Sequence, residues 1–393
     1  MRILVVTHNF PRQAGDPAGA FVARIARAAA EAGAKVRVVA PHAPGTARAE
    51  QDGALTVHRF RYAPDRLERV AYTGDLHRNT LFSPLTAVTF PLFLAAFRRA
   101  IRRAVSEFQP DVIHAHWWVP AGWLCMSAGR PYIVTCHGSD VRLLERFRPL
   151  RRLALPVFRG ASAVTAVSRF LAGDLVRLLE LDTLEVLPLA MPVDAEHFAA
   201  GKLIAKATPP RVLYAGNLVP SKGVDVLIDA CAELRKRGVD FRLKVLGQGP
   251  ELPGLKAQAQ RLSLSDVEWS PFVSQDRMPA EYGASTVTVL PTRGQAEGLG
   301  LSLVEALLAG CAVVGTPAGG IPEVIVNDVT GLLAREGDAA DLSRALEMLL
   351  IDPALRARLT AEGGRRVASV YSPEAAVRPF LRLYDDIAQH QRS

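Results

Sequence analysis

The sequence predicts an α/β fold of two doubly wound domains, each a parallel sheet with helices on both faces. Three observations carry this. Short unbroken apolar runs, the mark of strands buried on both faces, alternate with helical patterns along the chain. The alternation comes as two series, parted by a proline-rich stretch over 187–210. The 393 residues, 49% of them apolar, suffice for two large cores.

The first series opens with a strand over 2–6. A helix over 20–33, ending at Gly33, leads to a strand over 35–40. Further strands are expected over 111–114, 132–135 and 163–167. The second series restarts with a strand over 211–215, then a helix over 224–237 and strands over 242–246 and 286–290. A helix over 303–309 and a strand over 312–315 follow. The domains therefore cover 1–190 and 205–372. Ligands of such sheets bind beyond the carboxyl ends of the strands, so a site is expected in a cleft between the domains.

Four cysteines, at 125, 136, 231 and 311, form no C-x-x-C pair. They read as reduced residues, three of them in apolar runs, which favours the cytoplasm. The apolar run 3–6 is too short for a secretory signal core, and 84–97 is too short and polar to span a bilayer. The net charge of +8 is uneven. Residues 1–195 hold 25 basic against 16 acidic side chains, and the remainder 22 against 23. A basic half suits nucleic acid, an anionic membrane or an anionic acceptor.

The most informative run is QAEGLGLSLVEALLAGCAVVGTPAGGIPEVI, residues 295–325. Glycines surround Glu297, and a helical pattern carries Glu305 in its first turn. This arrangement suits a sugar nucleotide: a glycine-rich turn brings backbone N–H groups close to anionic oxygens, and the following helix points its positive end at them. A carboxylate beyond it can accept hydrogen bonds from ribose hydroxyls.

With seven residues between its two glutamates and the G-G-x-P-E segment Gly319–Glu323, this run resembles the signature of the retaining glycosyltransferases of family four. That family has two Rossmann-like domains facing across a cleft, the GT-B fold. The resemblance extends along the chain, through TCHGSD at 135–140, LPLAMPVDAEHF at 187–198, YAGNLVPSKGVDVLI at 214–228 and VLGQGPE at 245–251. It implies that a last helix within 373–393 crosses back onto the first domain and that the second domain holds the donor.

Carried over residue by residue, the resemblance gives Glu297 the donor-sugar hydroxyls and Glu305 the ribose. The backbone of Gly298, Leu299, Gly300 and Leu301 approaches sugar and diphosphate, and Lys222 neutralises the departing diphosphate. His137 contacts the donor sugar from the first domain. Gly19 opens the first helix beside the donor phosphates or the acceptor, with Gly15 as the other candidate. Asn217 stands where the family often has an arginine. It can donate a hydrogen bond but brings no charge, and Arg293 is a candidate substitute. Asp140 is a weaker candidate that also suits a helix cap. No D-x-D stands at a strand end, in keeping with a reaction that needs no metal and no cofactor beyond a UDP- or GDP-linked sugar. The implied acceptor is a glycan or lipid-linked glycan of cell-surface or polysaccharide synthesis. A sugar-nucleotide epimerase and a catalytically silent nucleotide-sugar binding subunit are the alternative readings.

His114 and His116 form an H-x-H that reads as core and cleft wall rather than as a metal pair. Trp117, Trp118 and Trp123 suit either stacking on an acceptor or packing beneath the site. Two segments, 90–108 and 142–160, read as basic amphipathic helices. Each suits an ordinary surface helix. The charge asymmetry makes docking on the anionic inner face of a membrane an equal reading. No nucleic-acid recognition module is present.

Overall fold

The computed structural model describes residues 1–391 apart from 14, 17, 73–83, 182, 265 and 296. The last two residues of the 373–393 segment and Ala296 of the signature run thus lie outside the described residues. The chain divides into two compact units. Unit 1 comprises Met1–Pro192 and the chain from Pro373 onward, and unit 2 is Val193–Ser372.

The sheet of unit 1 has eight strands: β1 Arg2–Val6, β2 Lys35–Pro41, β3 Ala49–Asp52, β4 Leu55–Phe60, β5 Val112–His116, β6 Tyr132–Cys136, β7 Ala163–Ala166 and β8 Val186–Pro188. Their order is β3-β4-β2-β1-β5-β6-β7-β8. Neighbours run parallel, except β3, which lies antiparallel to β4. Ile3, Leu4, Val5 and Val6 are all buried, as a strand covered on both faces requires. The edge strand β3, AEQD, is exposed at every position and carries no apolar signal from which to expect it.

The segment 142–160 is two helices rather than one, Ser139–Arg146 and Leu150–Arg159. Pro149 divides them, because a proline ring cannot continue a helix but suits the start of the next. The helix Pro373–His390 packs in unit 1 against the helix Ala20–Glu31 and β5. It buries Ala376, Val377, Phe380 and Tyr384 there.

Unit 2 has six parallel strands: β9 Arg211–Ala215, β10 Arg242–Leu246, β11 Glu268–Ser270, β12 Val287–Leu290, β13 Ala312–Gly315 and β14 Leu332–Leu333. The order is β11-β10-β9-β12-β13-β14. The unit begins at Val193, earlier than the expected 205. The helix Ala195–Ala199 buries Phe198 beside Tyr282, with ring centroids 6.0 Å apart, and so joins this core. Each sheet reverses its winding once, between β1 and β5 in unit 1 and between β9 and β12 in unit 2. Crevices beyond the carboxyl ends of such strand pairs are where ligands of this architecture bind.

Candidate active site

In unit 2 the two chains leaving the reversal point carry Lys222 and Glu297. After β9 the chain makes the turn Pro220–Lys222 and enters the helix Val224–Lys236. After β12 it runs through Arg293 to the helix Leu301–Leu308. A backbone bond from Arg293 N to Ser221 O, 2.8 Å, ties the loops together. Lys222 Nζ then donates to Glu297 Oε2 at 2.6 Å, with side chains 18% and 16% exposed. Glu297 Oε1 accepts from Gly300 N at 3.2 Å, so the carboxylate lies at the entrance of the Leu301–Leu308 helix.

The Gly319–Glu323 segment backs this turn. Gly320 N donates to the Glu297 carbonyl at 3.0 Å. Gly319 has φ 56°, and a Cβ there would overlap the Glu297 carbonyl. The two halves of the sequence signature are thus one backbone-on-backbone contact, which only a residue without a side chain permits at this position. Leu299 is buried and Gly298 partly so; Gly300, in the left-handed region, lets the helix start at Leu301. That start lies two residues before the expected 303, which places Glu305 in the second turn rather than the first.

Glu305 is 8% exposed. Tyr282 Oη donates to its Oε2 at 3.0 Å, and Gln275 Nε2 faces its Oε1 at 3.4 Å. Burial and then the Glu305 carboxylate push the Tyr282 phenol well above its ordinary value, so it stays a donor. Neither Tyr282 nor Gln275 was legible as a site residue, since they meet Glu305 from 23 and 30 residues away. Asn217 is exposed, and its carbonyl accepts from Tyr214 Oη at 2.7 Å. Arg293 pairs with Asp225 on the Val224–Lys236 helix. A fixed ammonium beside the N-terminus of a helix can stabilise charge growing on a leaving phosphate.

In unit 1, Gly19 lies on the chain leaving β1 at the corresponding reversal point, and His137 follows β6, the strand beside β5. Gly19 caps the Ala20–Glu31 helix in the left-handed region, and a Cβ there would overlap the Asn9 carbonyl. The ring centroids of Phe21, two residues on, and of Trp117 lie 4.7 Å and 4.5 Å from that of His137. Gly15 is exposed in the same loop. Asp140 clamps the backbone that carries His137. Its Oδ1 accepts from His137 N and Gly138 N, both 3.1 Å, and its Oδ2 from Trp118 N at 3.3 Å.

The H-x-H pair is hydrogen-bonded core. His114 meets Tyr384 Oη and Thr135 Oγ1, both at 2.6 Å, and His116 Nδ1 meets His137 Nε2 at 2.9 Å. Trp118 is 2% and Trp117 6% exposed, which is packing, whereas Trp123 is 43% exposed. Among the described residues, His42, Asp65 and Glu68 are the set whose ligand atoms cluster as at a metal centre. Glu68 there already binds His42 Nδ1 at 2.6 Å and accepts from Tyr62 N at 3.2 Å, so these two brace the 61–68 loop, while Asp65 pairs with Arg61.

Comparison with known proteins agrees with this architecture. The model of "Glycosyl transferases group 1" matches residues 197–366, and that of "Glycosyltransferase Family 4" matches residues 18–194. A D-inositol 3-phosphate glycosyltransferase of Salinispora arenicola is 30% identical over 350 residues, covering 79% of this chain and 77% of the relative. Among solved structures, sucrose-phosphate synthase from Thermosynechococcus elongatus superposes with a TM-score of 0.80 at 22% identity, covering 99% of both chains. Anabaena HepE, solved in complex with UDP, gives 0.71 at 20% identity over 98% of this chain and 100% of its own. The chain belongs to the GT-B glycosyltransferases of the family 4 type.

Proposed function

We propose that this enzyme moves a sugar from a nucleoside diphosphate to an acceptor hydroxyl with retention of anomeric configuration and without a metal ion. The Lys222–Glu297 pair at the entrance of the Leu301–Leu308 helix carries the reading. Breaking the bond at the anomeric carbon leaves an extra negative charge on the diphosphate. Lys222 and the backbone around Gly298, Leu299 and Leu301, at the positive end of the helix whose Gly300 N–H is held by Glu297, are fixed positive partners for that charge. Glu297 accepts from the donor-sugar hydroxyls and Glu305 from the ribose. His137 meets the sugar from unit 1. The HepE complex with UDP supports a nucleoside diphosphate sugar, UDP- or GDP-linked, as donor.

The acceptor is a glycan or lipid-linked glycan of cell-surface, glycolipid or polysaccharide synthesis, met at an anionic membrane through unit 1. Among the described residues, the large apolar side chains exposed in unit 1 are Val88, Leu92, Trp123, Met126 and Leu153. They stand on neighbouring segments that also expose Arg98, Arg99, Arg102, Arg103, Arg148 and Arg152.

Product stereochemistry by NMR, with excess chelator present, tests the reaction type. A retained product formed at an undiminished rate is expected. An inverted product, or activity lost to chelator and restored by metal, would refute it.

A further inference from the structure

His116 stands on β5 with no solvent exposure. Its Nδ1 lies 2.9 Å from Nε2 of His137. Its ring stacks on His114, centroids 4.1 Å apart and planes 30° apart. His114 cannot turn away, because the Tyr384 hydroxyl and Thr135 Oγ1 hold its two nitrogens at 2.6 Å each. The third imidazole of the row, His137, is half-buried, and its Nδ1 makes no hydrogen bond with the described residues. Nε2 of His116 is sealed from solvent and has no hydrogen-bond partner among the described residues.

Burial pushes all three rings down: His114 to about 3, and His116 and His137 well below the ordinary imidazole value. Near neutral pH each ring therefore carries one N–H and one lone pair. Of two facing nitrogens, one must donate, and hydrogen-bond accounting decides which. If His137 donated from Nε2, His116 would accept at Nδ1 and carry its own proton on Nε2. That N–H would be sealed with nothing to receive it, and orphaned buried donors are rare and costly. If His116 donates from Nδ1, only a lone pair is left sealed. His137 then accepts at Nε2 and must carry its proton on Nδ1.

We propose that His116 is a positioning residue that fixes His137 as the Nδ1–H tautomer, so that unit 1 offers the substrate a hydrogen-bond donor. The one lone pair of His137 is held by His116, so His137 cannot take the proton of the acceptor hydroxyl. It donates instead to an oxygen of the bound sugar. This rests on the reading of His137 as a substrate contact. Nothing in the resemblance assigns His116, whose H-x-H pattern alone suits buried packing.

The test is the ring-nitrogen NMR spectrum of the ¹⁵N-histidine-labelled full chain, which separates protonated from bare nitrogens. The parent should show His137 protonated at Nδ1. His116→Phe keeps a flat aromatic ring and removes the donor, and should move the His137 proton toward Nε2. His116→Asn places an amide N–H where Nδ1–H stood, and should keep the parent tautomer. Transfer should fall about tenfold in His116→Phe, one hydrogen bond's worth, and largely recover in His116→Asn. A parent His137 protonated at Nε2, or an Nδ1–H form unchanged in a folded His116→Phe, overturns the inference. Undiminished transfer by His137→Ala would instead remove the substrate reading on which it rests, whatever the tautomer.

Discussion

Lys222 and Glu297 meet 2.6 Å apart although 75 residues separate them, because the loops after β9 and β12 leave the sheet at its reversal point. The pairing does two things at once. It orients the ammonium over the entrance of a helix, and it gives a part-buried carboxylate its counter-charge. Charged partners of this kind are coupled, so removing either leaves the other poorly solvated. Lys222→Met and Glu297→Gln should each lower thermal stability, and the double variant should cost less than the two singles together. Strict additivity in denaturant titrations would mean that the pair is incidental.

Lys222→Ala should lower kcat much more than it raises KM for the donor. Its charge matters most when the diphosphate departs, and losing one such contact costs about 2.7–4 kcal/mol in the transition state. Steady-state kinetics with a nucleotide sugar decides this. A variant that turns over like the parent would remove Lys222 from the chemistry.

Tyr282 holds Glu305 from behind, with its hydroxyl 3.0 Å from Oε2 in a fully buried position. Tyr282→Phe keeps the ring and removes one hydrogen bond, worth about 0.5–1.5 kcal/mol of stability. It should also weaken nucleoside diphosphate binding severalfold, because a freed Glu305 adopts other rotamers. Glu305→Ala should weaken binding more. Calorimetric titration with UDP and GDP measures both. Equal affinity in the parent and both variants would take Glu305 out of the donor site.

Much of this fold is written locally. The buried strands β1, β9 and β13 carry continuous apolar runs, and the signature glycines announce the close approach of 297 and 319. What was missed lacks local signal. The strand β3 has no apolar residue besides Ala49, and β14 is two residues long. The division of 142–160 into two helices was in fact marked, by Pro149, and the arginine pattern obscured it. In the site, Tyr282, Gln275 and His116 act through partners 21 to 30 residues away, which only the fold brings together. An H-x-H on a strand looks the same whether it packs or positions. The difference lies in Tyr384, 270 residues from His114.

Acid should destabilise unit 1 through its imidazoles. His114 and His116 are fully buried, and burial depresses both. A group depressed in the folded state lends stability above its unfolded value, near 6.5, and loses it as pH falls toward the folded one. Each of the two should cost about 1.4 kcal/mol per pH unit below 6.5. Burial raises the Asp140 carboxyl above its ordinary 3.8, so it works in the opposite sense: its contribution is full below 3.8 and declines as pH rises through the raised value. The two imidazoles outweigh the single carboxyl. Scanning calorimetry from about pH 7.5 to about 5 should show Tm falling with pH, less steeply in His116→Phe. A flat profile, or equal slopes in the two proteins, would contradict this.

Anionic membranes should bind unit 1 reversibly. The helix Pro84–Phe108 exposes Leu92 at 54%, the neighbouring 123–126 segment exposes Trp123 at 43%, and the helix Leu150–Arg159 exposes Leu153 at 55%. Around them Arg98, Arg99, Arg102, Arg148 and Arg152 are exposed. Arg103 is in part neutralised by Glu107 at 2.6 Å and counts for less. Each basic residue near an anionic surface contributes about 1 kcal/mol, so four or more give weak docking, and the exposed Trp and Leu add insertion. No helix among the described residues is long and apolar enough to cross a membrane, so contact from one side is what these helices offer. Co-sedimentation with anionic and neutral vesicles, at low and physiological salt, measures it. Binding should favour anionic vesicles and fall with salt, because screening shortens the reach of the surface potential. Charge reversal at Arg98 and Arg102 together should abolish binding while leaving transfer to a water-soluble acceptor intact. Equal binding to both vesicle types, or none to either at low salt, would leave this basic face to a soluble anionic acceptor.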